Sequence, residues 1–223
     1  MRYRFTEREI ENALNKMIII IDSREQKASS YKSEWDRNQV KYYSTEEYKK
    51  YNKECKIPKK DLFEANLPAG DYSAMIPKGT LEGIDRALWF DKYTIVEKKG
   101  SINELAGNIK VTNGEKKRLD NEFARLKANG TKHRILIEDA LYFKHMYEGT
   151  GDHKHGWKSS ISLLGAIDRS LSEWGTELIP VPKEYMAKRI YAILRNDVRT
   201  CLREHFEIKD INKFMEVENE KFN

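Results

Sequence analysis

A strand that ends in charged residues constrains this chain most. Tyr93–Val96 is an aromatic and β-branched run, which predicts a buried strand. Glu97 and Lys99 follow this run and stand two residues apart, so their side chains share one face of the strand. The sequence therefore delivers a carboxylate and an ammonium group to the same place at the end of a core strand.

A second carboxylate is predicted beside that strand end. The turn-forming run Leu67–Gly70 places Asp71 at the mouth of another strand-like run, which reaches Ile76. Residues 80–91 then form a hairpin-like connection to the first strand, which makes the two strands neighbours. Taken separately, each residue has an ordinary structural interpretation. Asp71 is typical of an aspartate in a turn, and Glu97 is typical of a solvated strand end. Their coincidence with the turn and the flanking strands favours a shared site.

Two carboxylates and a lysine on one sheet edge suit metal-dependent hydrolysis of phosphodiesters. Carboxylate oxygens are the hard ligands that Mg²⁺ prefers. A bound dication generates hydroxide and polarises the phosphate, while a lysine steadies the attacking water or the developing charge. We therefore expect Asp71 and Glu97 to bind the metal and Lys99 to act on the water.

Four motifs in a fixed order carry a family resemblance. They are Ile21–Glu25, Gly70–Tyr72, Val96–Leu105 and Ile135–Glu138. Together they resemble the nuclease core of the XPF-type structure-specific endonucleases, a branch of the restriction-endonuclease-like PD-(D/E)XK superfamily. Each motif is a weak signal by itself, and the four in order make a strong one.

The resemblance spans residues 17–181 and implies an α/β fold that is restriction-endonuclease-like, with a mixed central sheet flanked by helices. It implies a single nuclease domain over residues 1–207, with a polar insertion at about 27–66 and a charged tail over 208–223. The implied activity is a DNA endonuclease that depends on Mg²⁺ or Mn²⁺ and cuts branched or flapped DNA in repair, recombination or replication. No helix-hairpin-helix signature is visible in the sequence, so specificity for branched DNA stays open.

The first of the four motifs adds two acidic residues to the predicted site. The resemblance implies that Asp22 and Glu25 add negative potential beside the metal, or that Glu25 reaches an ion or a water. The alternative is a strand-end turn with a surface ion pair. The resemblance favours the functional interpretation, in which both residues join the catalytic set of Asp71, Glu97 and Lys99.

The chain departs from the family pattern after Glu97. Lys98 stands where the family usually has arginine, which keeps the charge but loses the bidentate fork toward phosphate. The family's next acidic position falls on Asn103 by strict counting, and on Glu104 if Gly100 is an inserted residue. Glu104 is also spaced from Ser101 as in a capping box, so it is either a catalytic acid or the cap of a helix.

Cationic residues near the predicted site indicate a DNA-binding face. The run 115–129 is predicted to be a helix, because Leu119, Phe123 and Leu126 recur at helical spacing. Its other face is basic and suits a phosphate backbone, although most such faces are merely solvated. Charged residues on this helix often support the site in the family, so Glu122 and Arg125 are further candidates. The candidate DNA contacts are Arg24, Lys98, Lys116, Lys117, Arg118 and Arg125.

Two polar segments leave alternatives open. In residues 27–66 aromatic side chains are interleaved with lysines, which suits stacking on unpaired bases. Packing on the body of the domain is slightly favoured, because Ser44–Glu47 is typical of an ordinary helix start. The run Gly151–Gly156 contains two histidines without a cysteine or a second ligand pair, so it predicts a flexible loop rather than a zinc site.

The remaining elements follow from capping residues and apolar periodicity. Thr6 and Glu9 are spaced as a capping box, which predicts a short helix. The other predicted elements are a strand over 17–21, a helix over 101–109, a strand over 134–138, a helix over 160–174, a strand over 176–181 and a long helix from 182.

Composition narrows the class of protein without deciding its function. There are 41 basic and 36 acidic residues, and the resulting net charge of +5 is compatible with a DNA-binding face. Two distant cysteines and the lack of a secretory apolar core predict an intracellular protein, cytoplasmic or nucleoid-associated. In XPF-type nucleases the late helices contribute to dimerisation, so a homodimer is one implied partner beside DNA. A non-catalytic DNA-binding subunit and a structural or adaptor protein remain as rival functions.

Overall fold

A computed structural model describes residues 5–22, 24–25, 29–44, 67, 69–110, 114–149 and 160–204 of the chain. Its helices are α1 (Glu7–Asn15), α2 (Ser29–Arg37), α3 (Ile102–Ile109), α4 (Gly114–Ala128), α5 (Tyr142–Glu148), α6 (Ser160–Trp174) and α7 (Met186–Glu204), with a 3₁₀ turn at Lys183–Tyr185 before α7. Its strands are β1 (Ile18–Ile21), β2 (Lys41–Ser44), β3 (Tyr72–Ile76), β4 (Leu88–Trp89), β5 (Thr94–Lys99), β6 (Lys132–Ile137) and β7 (Glu177–Pro180).

The strands form one mixed sheet in the order β2-β1-β3-β5-β6-β7, with β4 paired to β3. Strand β3 runs antiparallel to β1, β4 and β5. The β5–β6 and β6–β7 pairs are parallel, and so is the β1–β2 pair. Parallel neighbours need crossover connections, and helices supply them between β5, β6 and β7. The predicted α/β class, with a mixed central sheet flanked by helices, is confirmed.

Each face of the sheet is covered by its own set of helices. Val96 of β5 lies in a core with residues of α1, α2 and α7, and its neighbour Ile95 lies in a second core with residues of α3, α4, α5 and α6. Successive side chains of a strand alternate between faces, so β5 is buried on both sides. Its last residues therefore project from a strand that is fixed by two cores.

The helix predicted at Thr6 forms as α1. Thr6 Oγ1 accepts a hydrogen bond from the Glu9 amide at 3.3 Å, and Glu9 Oε2 accepts one from the Thr6 amide at 2.7 Å. This reciprocal pair is the predicted capping box, and it satisfies two donors that the first helical turn leaves without partners. Ile10 and Leu14 lie on the buried face of α1, which packs against the sheet.

Part of the segment predicted to be a polar insertion belongs to the core. Tyr31 and Trp35 of α2 are 2% and 1% exposed, so these two aromatic residues pack in the body, as the favoured interpretation held. Lys41–Ser44 extends the sheet as β2, and Ser44 is the last residue of that strand, while the rest of the predicted helix start Ser44–Glu47 lies outside the described residues. Residues 45–66, the histidine-containing run 151–156 and the charged tail from 208 lie outside the described residues.

None of the described helices combines the length and the apolar character that a crossing of the bilayer requires.

Candidate active site

The turn at Gly70 presses the chain against β5. Gly70 has a φ of +68°, and a Cβ at this position would lie 2.2 Å from Ile95 Cγ2. The next amide, that of Asp71, donates a hydrogen bond to the Val96 carbonyl at 3.0 Å. Glycine is therefore needed twice here, for its left-handed backbone and for the space it leaves. The tight approach brings Asp71 to the end of β5.

The Asp71 carboxylate is held by the backbone of β5. Its Oδ2 accepts a hydrogen bond from the Lys98 amide at 2.7 Å. Burial raises the pKa of Asp71 well above its ordinary value, and the nearby charges of Glu97 and Glu25 raise it further against the opposing bond from Lys98. The ionised form of Asp71 is thus destabilised by burial and by neighbouring negative charges, and a bound cation would stabilise it.

Glu97 and Lys99 lie on the face of β5 that carries Ile95, and they are joined to each other. Lys99 Nζ lies 2.7 Å from Glu97 Oε1, and only 8% of Lys99 is exposed. Burial raises the pKa of Glu97 despite the opposing charge of Lys99, and the charges of Glu122 and Glu104 add to the rise. Burial acts to lower the pKa of Lys99, but Glu97 more than offsets it and the net pKa is raised. Lys99 is therefore a cation among carboxylates.

Glu104 plays a part both in the helix start and in the site. The Ser101 Oγ accepts a hydrogen bond from the Glu104 amide at 3.2 Å, so Ser101 is the N-cap of α3. The Glu104 carboxylate accepts a bond from the Gly100 amide at 2.8 Å and lies 3.7 Å from Lys99 Nζ. Cap and acidic site residue are therefore compatible roles for Glu104. Asn103, the alternative position, is half-buried beside it.

Helix α4 contributes a further carboxylate, that of Glu122. Its Oε1 accepts a hydrogen bond from the Gly70 amide at 3.3 Å, and its charge acts on the pKa of Glu97. In the sequence, Glu122 is a candidate only through the family resemblance. A direct signal was present, because Glu122 follows Leu119 by three residues and precedes Leu126 by four, at the border of the buried face.

Asp22 is committed to a local hydrogen-bond network. Its side chain accepts bonds from the Leu67 amide at 2.8 Å and from Nε and Nη2 of Arg24 at 2.8 and 3.0 Å. Its own amide donates to the Asp71 carbonyl at 2.8 Å. Asp22 therefore fastens the end of β1 to the Asp71 turn. Glu25 acts on the site through its charge, which raises the pKa of Asp71.

Lys98 occupies a different environment from the one that a phosphate contact requires. Its side chain is 3% exposed and its Nζ lies 3.6 Å from Glu138 Oε2. The same Nζ stands 5.6 Å from the centre of the Tyr31 ring. Because Lys98 lies between Glu97 and Lys99, its side chain points to the opposite face of β5. The structure gives Lys98 an internal position, in contrast with the expected DNA contact.

Three of the candidate DNA-binding cations have described, exposed side chains. Arg24 and Arg118 are exposed, and Arg118 lies 3.9 Å from Glu122 Oε2. Arg125 is exposed two turns further along α4. The side chains of Lys116 and Lys117 lie outside the described set. A cationic surface thus borders the site through α4.

The donor set suits a cation that keeps much of its water. The described part of the chain holds no cluster of three or more His, Cys, Asp or Glu side chains arranged to bind a metal. Asp71 and Glu97 supply two carboxylates, and the backbone carbonyl after Glu97 is an additional oxygen donor. Mg²⁺ is commonly bound by one or two carboxylates and several waters, so these residues fit it.

No protein-family model matches the chain, and no curated protein sequence matches it. One similar solved structure is XPF from Aeropyrum pernix, at 16% identity and a TM-score of 0.45, with 92% of this chain and 73% of that chain covered. The other is XPF from Aeropyrum pernix in complex with DNA, at 16% identity and a TM-score of 0.44, with 82% and 64% covered.

Proposed function

We propose that the protein is a DNA endonuclease that depends on Mg²⁺ or Mn²⁺. The observation that carries the proposal is the grouping of Asp71, Glu97 and Lys99 where the central strands β3 and β5 meet, at the start of β3 and the end of β5. Lys99 Nζ contacts Glu97 at 2.7 Å, and the Glu97 charge raises the pKa of Asp71. Perturbed acids beside a buried cation are the arrangement expected of a catalytic centre.

Each residue has a distinct role in the proposed reaction. Asp71 and Glu97 would hold the metal, which when bound supplies a Lewis acid and lowers the pKa of water. The Lys98 amide orients Asp71 by its bond to Oδ2. Lys99 is protonated, so it can donate a hydrogen bond to the attacking water or to a phosphate oxygen that gains charge in the transition state. Glu104 lies within 3.7 Å of Lys99 Nζ and keeps that ammonium beside the site.

The substrate class follows from the surface next to these residues. Arg118 and Arg125 on α4 can contact the phosphate backbone. The pKa of Arg24 is raised chiefly by its hydrogen bonds to Asp22 and further by the charges of Glu122 and Asp71, which places this exposed cation beside the site. The sequence motifs resemble those of structure-specific nucleases, so we propose branched or flapped DNA as the substrate. Repair, recombination and replication are the processes that generate such DNA.

The proposal is tested with four labelled DNA substrates. Purified protein is incubated with single-stranded, duplex, flap and four-way DNA in Mg²⁺, in Mn²⁺ and in chelator. We expect cleavage only with the cations and fastest cleavage of the flap or the four-way substrate. Asp71→Asn serves as the control for a contaminating nuclease. DNA binding without cleavage under all conditions would instead identify a non-catalytic DNA-binding subunit.

A further inference from the structure

A buried polar cluster lies on the face of β5 that is turned away from Asp71 and Glu97. It consists of Tyr31 on α2, Tyr72 on β3, Lys98 on β5 and Glu138 after β6, and it is called the rear cluster below. Tyr31 Oη donates a hydrogen bond to Glu138 Oε2 at 2.7 Å, and the same carboxylate oxygen lies 3.6 Å from Lys98 Nζ. The Tyr72 hydroxyl is buried, and no described residue forms a hydrogen bond with it.

The rear cluster is connected to the proposed site through the backbone. Lys98 lies between Glu97 and Lys99, and its amide holds Asp71 Oδ2 at 2.7 Å. The Glu138 amide donates to the Lys99 carbonyl at 2.8 Å. The peptide group before Lys98 is therefore bonded to Asp71, and the peptide group after Lys99 is bonded to Glu138, whose carboxylate also lies beside the Lys98 side chain.

The placement of Lys98 has an energetic reason. A buried ammonium group is costly unless a carboxylate and further hydrogen bonds accompany it. Glu138 supplies the charge, and the Tyr31 ring adds a cation–π contact at 5.6 Å. Because other positions of the strand would leave this ammonium without Glu138, the pair selects one position for the end of β5.

We propose that Lys98, Glu138 and Tyr31 are positioning residues for the catalytic strand, rather than contacts to DNA. The rear cluster fixes the end of β5 and with it the separation of Asp71, Glu97 and Lys99. This inference rests on the proposed nuclease function, since it names residues that act through the same site. It assigns Lys98, the first lysine of the Glu-Lys-Lys motif, to the interior of the protein. Phosphate binding is left to Arg24, Arg118 and Arg125.

The first test separates a positioning role from a phosphate contact. DNA affinity is measured without metal, in an Asp71→Asn background, as a function of salt concentration. A lost phosphate contact reduces the slope of log affinity against log salt by about 0.9 for duplex DNA. We expect Lys98→Met to leave that slope unchanged. A slope that falls by about 0.9 would overturn the inference.

The second test uses the kinetics of the otherwise unaltered protein. We expect Lys98→Met to lower kcat at least tenfold with KM for DNA within twofold of the wild type, and Tyr31→Phe to lower kcat about threefold. Lys98→Arg restores the charge and should recover most of the rate. Lys132→Met is the matched control, because Lys132 Nζ also lies over a tyrosine ring, 4.8 Å from the ring centre of Tyr93, but at the far end of the sheet.

The outcomes separate this inference from the proposed function. Wild-type protein that cuts no DNA would overturn the proposed function and this role together. Wild-type protein that cuts, with Lys98→Met cutting at the same rate, would overturn the positioning role alone. Should Lys98→Met melt early, the double variant Lys98→Met/Glu138→Gln removes the unpaired charge. Its melting should recover while kcat stays low, and recovery of kcat as well would show a role in stability only.

Discussion

At the scale of single residues, Gly70 decides how closely the Asp71 turn approaches β5. We expect Gly70→Ala to lower stability and abolish cleavage, because the new Cβ would meet Ile95 Cγ2 at 2.2 Å. The left-handed φ of +68° costs any L residue about 1–2 kcal/mol in addition. Gly79→Ala is the control, since Gly79 has a φ of +72° and nothing within 4 Å. Equal losses in thermal denaturation would contradict the predicted clash.

The raised pKa of Asp71 makes metal-free stability depend on pH. Ionising Asp71 in the native state is unfavourable, so wild-type stability should fall as pH rises from 3.8, the ordinary value, through the higher native pKa. Asp71→Asn removes this penalty, and its amide oxygen can still accept the bond from the Lys98 amide. In chelator the variant should therefore melt above the wild type at about pH 8, with the difference vanishing below about pH 4.

Addition of Mg²⁺ provides the contrast for that measurement. The wild type should gain melting temperature, because a ligand that binds only the native state stabilises it. Asp71→Asn should gain little and should not cut DNA. A variant that responds to Mg²⁺ as the wild type does, or that cuts DNA, would remove Asp71 from the metal-binding set.

Glu104 can be tested by a change that keeps its hydrogen bond. In Glu104→Gln the side-chain oxygen can still accept the bond from the Gly100 amide, so we expect wild-type melting. The charge beside Lys99 is lost, and cleavage should slow at least tenfold, which corresponds to roughly 1.4 kcal/mol in the barrier. Unchanged cleavage, together with faster cleavage by Asn103→Asp, would favour the strict spacing and leave Glu104 as a helix cap.

The sequence contains the proposed site at residue level, but not its surroundings. Asp71, Glu97 and Lys99 could be predicted because each adjoins a strand whose composition is unambiguous. The side of the strand that Lys98 occupies also follows from alternation. Its partner does not, since Glu138 belongs to another strand end and becomes a neighbour only through the parallel β5–β6 pairing.

At the scale of elements, Asp139 joins two helix starts. Its carboxylate accepts bonds from the Ile102 amide at 3.2 Å, the Leu141 amide at 2.9 Å and His145 Nδ1 at 2.8 Å. Burial tends to raise the pKa of Asp139, but His145 and the two amides lower it below the ordinary value. One side chain thus ties α3, which carries Glu104, to α5.

Removal of this link should destabilise the protein in a pH-dependent way. We expect Asp139→Ala to cost about 2 kcal/mol at neutral pH, in the range of a lost helix cap. Since the native pKa of Asp139 is lowered, its contribution is present above the ordinary value of 3.8 and is lost as pH falls through the native pKa. The variant and the wild type should therefore converge in acid. Asp85→Ala is the control, because the Asp85 side chain is 93% exposed.

Element prediction succeeded where periodicity was long and failed where elements were short. The strands β1, β3, β5, β6 and β7 and the helices α1, α3, α4, α6 and α7 correspond to predicted runs, with small shifts at their ends. Lys41–Ser44 is an edge strand of mixed polarity, too short to show alternation clearly. Tyr142–Glu148 is a helix of seven residues, and its N-cap residue, Leu141, has no side chain that could serve as a capping signal.

At the scale of the whole molecule, the two cores differ in the chain segments that they join. The core that contains Ile95 is built from residues between Ala69 and Trp174, together with partly buried neighbours. The core that contains Val96 extends from Ile10 to Leu202. Ion pairs likewise join the two ends of the described chain. They connect Glu7 and Glu11 of α1 to Arg195, Arg199 and Arg203 of α7. Composition alone gave no sign of this unequal division.

This division has a consequence for the order of events during synthesis. Contacts between distant segments form late, because the chain between them must first be made and its loop closed. The face covered by α3, α4, α5 and α6 has all its fully buried residues once Trp174 has emerged, whereas the opposite face waits for α7. Trp35 illustrates the delay, since its Nε1 donates to the Ala187 carbonyl, 152 residues further on. Until α7 arrives, the apolar side chains of α1 and α2 lack part of their cover, and a nascent chain stalled before Met186 would be the form that chaperones bind.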